Sequence, residues 1–159
     1  MLRSLIGTAC LVLTGAYSAL AQGVGDTQNL PPPIQSEIAQ AKQTCTNGEP
    51  SLEKGFITQQ EVNDKGVEGY VLDYRHFGCG GRHSLYCGTT GCEMQVFVSS
   101  SPSGFQSVFD GNARALKFTK IDGRAAMIVD LHGPGCGSAS KAPCEETLFW
   151  DGSGFSPAK

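Results

Sequence analysis

Six cysteines spread through the second and later parts of this chain constrain its fold more than any other feature. A seventh, Cys10, lies in the apolar segment that begins the sequence. The other six are Cys45, Cys79, Cys87, Cys92, Cys136 and Cys144. An even number of cysteines in an exported chain predicts disulfides, because exported compartments are kept oxidising. Six cysteines allow fifteen pairings, so the spacing along the chain has to narrow the choice.

The N-terminus is typical of a secretory signal peptide. One basic residue, Arg3, precedes an apolar run that extends from Leu5 to Leu20, and Ala19-Leu20-Ala21 provides the small residues of a cleavage site. Polar residues interrupt the run, which makes a retained membrane span the weaker interpretation. We therefore predict that residues 1–21 are removed, that no membrane span is left, and that the protein is periplasmic or secreted.

Removal of 21 residues from the 159 leaves 138, enough for one domain with a substantial core. We expect residues 22–33 to form a flexible Pro-rich leader and residues 34–159 a single disulfide-rich β domain. The remaining chain has a net charge of about −4, since Arg3 is one of only twelve Lys and Arg against fifteen Asp and Glu. The basic residues are scattered, which argues against nucleic acid as a partner and against a polybasic membrane anchor.

The first periodic segment after the leader predicts a helix. Ile34, Ile38, Ala41 and Cys45 follow one another at steps of four, three and four residues, so they share one face of an amphipathic helix. Asn47-Gly48 is expected to end it. Cys45 should then face whatever this helix covers.

Alternating patterns and turn dipeptides replace the helical period after this point. In "CEMQVFVS", for example, Met94, Val96 and Val98 share one face. Turns are expected at Ser103-Gly104, Asp110-Gly111, Asp122-Gly123 and Asp151-Gly152. The predicted fold is therefore mainly β (α+β): a single antiparallel β-meander sheet or partly open barrel, stapled by disulfides, with one N-terminal helix packed on it.

Loop composition suggests how the cysteines pair. Cys87 and Cys92 enclose Gly-Thr-Thr-Gly, and glycines at both inner ends let the backbone turn tightly enough for the sulfur atoms to meet. Cys136 and Cys144 enclose a second loop rich in Gly, Ser and Pro, which leaves Cys45 for Cys79. This last bond would clamp the helix onto the sheet.

Two other uses of the cysteines fit the sequence less well. A zinc site could combine Cys79, Cys87 and Cys92 with a histidine, but structural zinc cysteines usually come in pairs two to four residues apart, and here the intervals are eight and five. Thioredoxin-like redox chemistry requires a two-residue spacer at the start of a helix, and that pattern is missing. We expect no metal and no cofactor.

Residues 61–69 resemble a degenerate calcium loop of the pattern D-x-N-x-D-G-x-x-D, found before strands in integrin-type and related β-repeat proteins. Asn63 and Gly66 match the pattern, and Glu61 can replace the first acid. Lys65, however, occupies a ligand position, where its charge would repel a cation. The segment is interpreted as a turn that has kept the shape of such a loop and lost the metal.

The histidines and nearby arginines define a candidate binding surface. Its members are Arg75, His76, Arg82, His83 and His132, in or beside the two Gly-rich loops. The same histidines could serve a hydrolytic or metal-dependent enzyme, but no nucleophile elbow, H-E-x-x-H motif or spaced carboxylate pair accompanies them. We assign no catalytic residue. Trp150 and Phe155, around the last turn, are interpreted as hairpin packing, with a recognition surface as the alternative.

The helix that ends in Cys45, the "GYVLDY" strand, the "CG" loops and the closing "TLFWDG" together resemble small exported bacterial proteins that carry no assigned activity. The resemblance implies localisation and fold, and no mechanism. We hypothesise a non-enzymatic exported protein that binds an unknown protein or small-molecule ligand through its two disulfide-bounded loops.

Overall fold

The computed structural model describes residues 27–63, 66–82, 85–100, 104–137 and 142–158. One α-helix, α1, spans Pro32–Thr44. The strands are β1 (Pro50–Leu52), β2 (Ile57–Glu61), β3 (Glu68–Asp73), β4 (Phe77–Cys79), β5 (Cys87–Gly88), β6 (Gly91–Ser100), β7 (Gly104–Ala113), β8 (Ala115–Ile121), β9 (Arg124–His132), β10 (Pro143–Trp150) and β11 (Phe155–Pro157). The predicted fold class is confirmed: the chain is mainly β, with one helix and antiparallel sheets that do not close into a barrel.

Helix α1 begins two residues earlier than the sequence pattern predicts. Pro32 and Pro33 stand in its first turn, where a missing N–H costs no hydrogen bond and the fixed φ of proline suits the helix. Pro32 and Pro33, which we had included in the leader, residues 22–33, belong to α1. Ile34, Ile38 and Ala41 are buried, as their spacing predicted. The predicted signal peptide, residues 1–21, lies outside the described residues, and within them no helix is long and apolar enough to span a bilayer.

Two sheets contain most of the strands. In the first, β3 lies between β2 and β6, while β6 also pairs with β7 along its length and with β5 at its start. In the second, the order is β11-β10-β9-β8. Strands β1 and β4 form a separate two-stranded ribbon. All pairings are antiparallel and mostly link consecutive strands, so the predicted meander is confirmed, divided here between two sheets.

One long strand passes from the first sheet into the second. Strand β7 pairs with β6 as far as Ala113, and β8 pairs with β9 from Ala115 onward, with Arg114 between them. The turn expected at Asp110-Gly111 does not form, since both residues stay in register with β6, opposite Gln95 and Met94. Continued pairing satisfies their backbone groups without a turn. The chain changes direction at Arg114 instead, between β7 and β8.

The first sheet is buried on both faces. Helix α1 covers one face, where the core consists of Ile34, Ile38, Ala41, Phe56, Leu72, Tyr74, Phe77, Cys79 and Phe97. The second sheet covers the other face, where the core consists of Val62, Val71, Met94, Val96, Val98, Ala113, Met127, Val129 and Leu148. Neighbouring residues such as Val71 and Leu72 enter different cores because side chains alternate across a strand. The molecule therefore has three layers: helix, sheet and sheet.

Candidate functional site

The six cysteines form three disulfides, joined in the predicted pairs. Cys45 binds Cys79, Cys87 binds Cys92, and Cys136 binds Cys144. The first bond fixes the end of α1 to β4, as expected for a clamp between helix and sheet. The other two each close a short loop, of five and eight residues in sequence separation. The five residues that the sequence marks as a binding surface lie outside these two closed loops, either before the first or before the second.

The Cys87–Cys92 loop is a tight hairpin built on its glycines. Cys87 lies opposite Cys92 in the register of β5 and β6, with Thr89 and Thr90 in the turn. Gly91 has φ +128°, and a Cβ added to it would lie 2.4 Å from the carbonyl carbon of Ala113. Only glycine permits both this backbone conformation and this approach. The hairpin is thereby held against the point where β7 passes into β8.

The Cys136–Cys144 loop leaves β9 through a short 3-10 turn, Gly133–Cys136. Its backbone reverses at Gly137, which has the left-handed φ of +69°. Cys144 lies near the start of β10, so the disulfide ties the turn back to the strand that follows it. Residues 138–141 of this loop are not among those described. The described part of the loop is therefore held by the 3-10 turn on one side and by the disulfide to β10 on the other.

The turn that leads into the Cys136–Cys144 loop lies close to the Cys87–Cys92 hairpin, although the two are more than forty residues apart in the chain. A Cβ added to Gly133 would lie 3.8 Å from the carbonyl oxygen of Thr89, and one added to Gly135 would lie 3.8 Å from Cβ of Thr90. A methyl group at either position would thus reach the hairpin, and the glycines themselves stand slightly back from it. We call this combined surface, residues 85–91 and 132–137, the disulfide-loop surface.

Arg75 stabilises the border of the disulfide-loop surface. Its Nε donates to Asp73 Oδ1 at 2.9 Å, Nη2 also bonds the same carboxylate, and Nη1 donates to the carbonyl oxygen of Arg114 at 2.7 Å. The hydrogen bonds to Asp73 raise the pKa of the Arg75 guanidinium above its ordinary value. Because a guanidinium presents its donors in a rigid fork, one side chain can hold a carboxylate and a carbonyl together.

Arg114 is fixed from its other side by β9. Its backbone N–H donates to the carbonyl oxygen of Asp130 at 2.7 Å, and its Nε lies 3.9 Å from Asp130 Oδ2. The Arg114 side chain is half exposed. The border of the disulfide-loop surface thus pairs each of two arginines with an aspartate, one from β3 and one from β9, and carries little net charge.

The structure brings together only part of the predicted binding surface. Arg75 and His132 lie beside or within the disulfide-loop surface, as described above. His76 packs instead against Gly55, where an added Cβ would come within 3.1 Å of its ring. Arg82 is bridged to Cys79 through its backbone and lies near the first disulfide. His83 lies outside the described residues.

The histidines do not form a metal centre within the described residues. No group of three or more His, Cys, Asp or Glu side chains in that part of the chain is arranged to hold a metal ion. His132 has a buried Nδ1 that finds no hydrogen-bond partner there. The ligand cluster that the metal-dependent alternative requires is therefore not found among the described residues.

The calcium-like segment uses its oxygen atoms to stabilise a turn. Glu61 Oε1 accepts a hydrogen bond from the backbone N–H of Gly66 at 3.1 Å, and Asn63 Oδ1 accepts one from Val67 at 3.2 Å. Asp64 and Lys65 are outside the described residues. Two of the candidate ligand atoms thus already accept hydrogen bonds from the backbone of their own loop.

Sequence reasoning missed one residue of the disulfide-loop surface. Leu85 is 46% exposed, the only large hydrophobic side chain of the described residues that is so accessible. The sequence indicated this exposed apolar side chain only by the presence of a single leucine in a polar, Gly-rich loop. Trp150 and Phe155, by contrast, pack edge to face at 5.2 Å beside the core between the sheets, which supports their interpretation as hairpin packing.

Comparison of the chain with protein-family models, with curated proteins and with solved structures gave no match in any of the three searches.

Proposed function

We propose that this is an exported, non-enzymatic binding protein and that the disulfide-loop surface is where it contacts its partner. The observation that carries the proposal is how close the hairpin of one disulfide lies to the turn that leads into the other, since a Cβ added to Gly133 or Gly135 would lie 3.8 Å from Thr89 or Thr90, respectively. A surface that is already ordered loses little conformational entropy when a partner binds. Three disulfides favour an oxidising, non-cytoplasmic location, and we propose the periplasm or the extracellular medium.

Leu85 gives the proposed surface its apolar contact point. An exposed leucine alone is common on protein surfaces. Here, however, it stands at the edge of a surface formed largely by Gly and Thr residues. Binding energy at interfaces concentrates in a few buried anchors surrounded by polar groups. We infer that the partner buries Leu85 and that Arg75 and Arg114, at the border of the surface, orient the partner.

Capture from the exported fraction tests this function. Wild-type protein is immobilised beside two variants, Leu85→Asp in the disulfide-loop surface and Thr58→Asp on exposed strand β2. We expect one protein or small molecule that the wild type and Thr58→Asp retain equally and that Leu85→Asp loses. Equal retention by the wild type and both variants, or retention that survives reduction of the disulfides without change, would contradict the proposed surface.

A further inference from the structure

Most of the edge strands in this molecule are protected against pairing with another chain. Proteins usually protect an edge with charged residues, proline, a bulge, short length or a covering segment. Strand β8 carries two exposed lysines, Lys117 and Lys120, and β11 has three residues and ends in Pro157. Strand β7 has a bulge in its pairing with β6, and its Gln106 Nε2 donates to the carbonyl oxygen of Ser153 in the last turn at 2.9 Å.

Strand β2 has none of these devices. It spans Ile57–Glu61, it is the last strand of the first sheet, and four of its five residues are exposed. Its sequence, Ile-Thr-Gln-Gln-Glu, contains neither proline nor lysine, and its pairing with β3 runs without a bulge. Among the strands of the described structure that have five or more residues, β2 is therefore the one with an unprotected edge.

The register of β2 and β3 determines which backbone groups face this edge. The N–H of Asp73 donates to the carbonyl oxygen of Phe56 at 2.8 Å, and the N–H of Val62 donates to that of Val67 at 3.0 Å. Hydrogen-bonded and non-hydrogen-bonded positions alternate along an antiparallel pair, so the even-numbered residues of β2 bond to β3. The odd-numbered residues direct their N–H and C=O groups toward the open edge: Ile57, Gln59 and Glu61.

These outward groups lack partners in the part of the chain that the structure describes. None of the backbone hydrogen bonds outside the strand ladders involves Ile57, Gln59 or Glu61. The side chains of two of them are engaged within the molecule, since Gln59 Nε2 donates to Glu68 Oε2 at 3.1 Å and Glu61 Oε1 accepts from Gly66. The open edge is therefore a row of backbone donors and acceptors on an ordered strand.

This row is complementary to itself. If two copies of β2 align antiparallel about a two-fold axis at Gln59, Ile57 of each lies opposite Glu61 of the other, and each of the three positions exchanges two hydrogen bonds. Gln59 meets its own copy, and an amide has both donors and an acceptor. An unrelated segment would meet the same backbone groups without this match of side chains.

The charge of the strand also suits the antiparallel alignment. Glu61 is the one charged residue of β2. The two Glu61 side chains would lie at opposite ends, about 14 Å apart for four residues, which exceeds the Debye length of about 8 Å at physiological ionic strength. Parallel alignment would instead place them side by side.

We propose that β2 pairs with β2 of a second copy of this chain, antiparallel about a two-fold axis at Gln59, so that the first sheets of two molecules form one continuous sheet. A ladder of five residues buries little apolar area, so the association should be weak, with a Kd between about 0.01 and 1 mM. The disulfide-loop surface contains no residue of β2, and the dimer does not depend on the function proposed for that surface.

Sedimentation equilibrium of the mature chain, with its disulfides intact, tests the proposal at protein concentrations from about 10 μM to about 2 mM. The mean mass should rise from monomer to dimer over this range. Gln59→Pro removes the outward N–H on the axis and keeps the bonds to β3, since proline is tolerated on an edge strand where its N–H would face solvent. It should raise the Kd about tenfold or more, because two hydrogen bonds are lost.

A charge exchange at position 59 gives a stricter test, because this residue meets its own copy. Gln59→Lys and Gln59→Glu should each dimerise about threefold or more weakly than the wild type, since like charges directly opposite each other destabilise a strand pair. An equimolar mixture of the two variants should associate at least as tightly as the wild type. Gln40→Lys, the same substitution at an exposed position of α1, is the matched control and should dimerise like the wild type.

Three results would overturn the proposal. The first is a monomer at every concentration, which would leave the open edge to a strand of another protein. The second is a dimer whose Kd neither Gln59→Pro nor Gln59→Lys changes, and the third is a mixture that associates no better than its separate components. Thermal unfolding of each variant checks that the fold is intact. Leu85→Asp should dimerise like the wild type, which separates a failure here from a failure of the disulfide-loop surface.

Discussion

The guanidinium of Arg75 donates a hydrogen bond of 2.7 Å to the backbone carbonyl of Arg114, 39 residues further along the chain. The carbonyl belongs to the residue at which one strand leaves the first sheet for the second. A single side chain therefore connects the segment after β3 to the junction of the two sheets, while the Asp73 carboxylate holds the guanidinium in position.

Replacing Arg75 with alanine should lower the free energy of unfolding by about 1–3 kcal/mol, since a hydrogen-bonded carboxylate and a carbonyl lose their donors. The Asp73 side chain is only 12% exposed, so water can replace the lost hydrogen bonds only in part. Urea denaturation monitored by Trp150 fluorescence measures the change. Arg82→Ala, at an exposed arginine, should change stability by less than about 0.5 kcal/mol. Similar losses in both variants would contradict a specific role for Arg75.

Gly91→Ala should destabilise the protein by at least about 2 kcal/mol, because the added Cβ meets the backbone of Ala113 at 2.4 Å and the backbone has a positive φ. Gly88→Ala, in the same hairpin, is the matched control, since its Cβ would meet nothing within 4 Å. The midpoint of thermal unfolding for the two variants provides the comparison. If Gly88→Ala were equally damaging, a general loss of loop flexibility would explain the result better than contact with Ala113.

Removing the Cys45–Cys79 bond should cost more stability than removing Cys87–Cys92. The sequence separations are 34 and 5 residues. The chain-entropy model then assigns about 4 and about 2 kcal/mol, respectively. Double alanine variants of each pair, compared by urea denaturation, test the order. The reverse order would show that contacts in the native loops outweigh the constraint on the unfolded chain.

Glu93 should make the folded protein more stable in mild acid. Burial, followed by the charges of Asp110 and Glu37, raises the pKa of this carboxyl above its ordinary value of 4.5. The folded state therefore binds the proton more tightly than the unfolded state, and stability falls as pH rises through the raised pKa. Glu93→Gln should remove this loss. The free energy of unfolding of the variant should therefore exceed that of the wild type by more at pH 7 than at pH 4.5.

Thermal unfolding measured at a series of pH values separates this effect from general acid stabilisation. Glu145→Gln, at an exposed position of β10, provides the control and should keep the pH dependence of the wild type. A Glu93→Gln protein whose stability follows the same curve as the wild type would show that other groups carry the dependence.

The sequence predicted those features that depend on neighbouring residues. The apolar stripe of Ile34, Ile38 and Ala41 identified α1 and its buried face. The Asp122-Gly123 turn also forms, with φ of 51° and 75°, between β8 and β9. In both places the local preference and the final structure agree, because the pattern itself sets which residues are buried or which φ values are needed.

The features that were missed depend on contacts between distant segments. Asp110-Gly111 has the composition of a turn, but pairing with β6 keeps it extended. Nothing near Arg114 in the sequence marks it as the junction of two sheets, since its position follows from pairing with β9. The closeness of Thr89 to Gly133 could likewise not be predicted from the spacing of residues in the sequence, because it depends on how the strands of both sheets are aligned. His76 was grouped with Arg75 for the same reason, although the two neighbouring side chains point to different parts of the molecule.

The three disulfides link the cysteines in consecutive order along the chain, each with the next one: Cys45 with Cys79, Cys87 with Cys92 and Cys136 with Cys144. A chain delivered N-terminus first therefore presents each of these cysteines with its native partner before any later cysteine of the six has emerged. Oxidation at the pace of delivery gives the native bonds directly, without a non-native bond that must later be exchanged. Oxidative maturation of this protein should accordingly require a thiol oxidant but no disulfide isomerase.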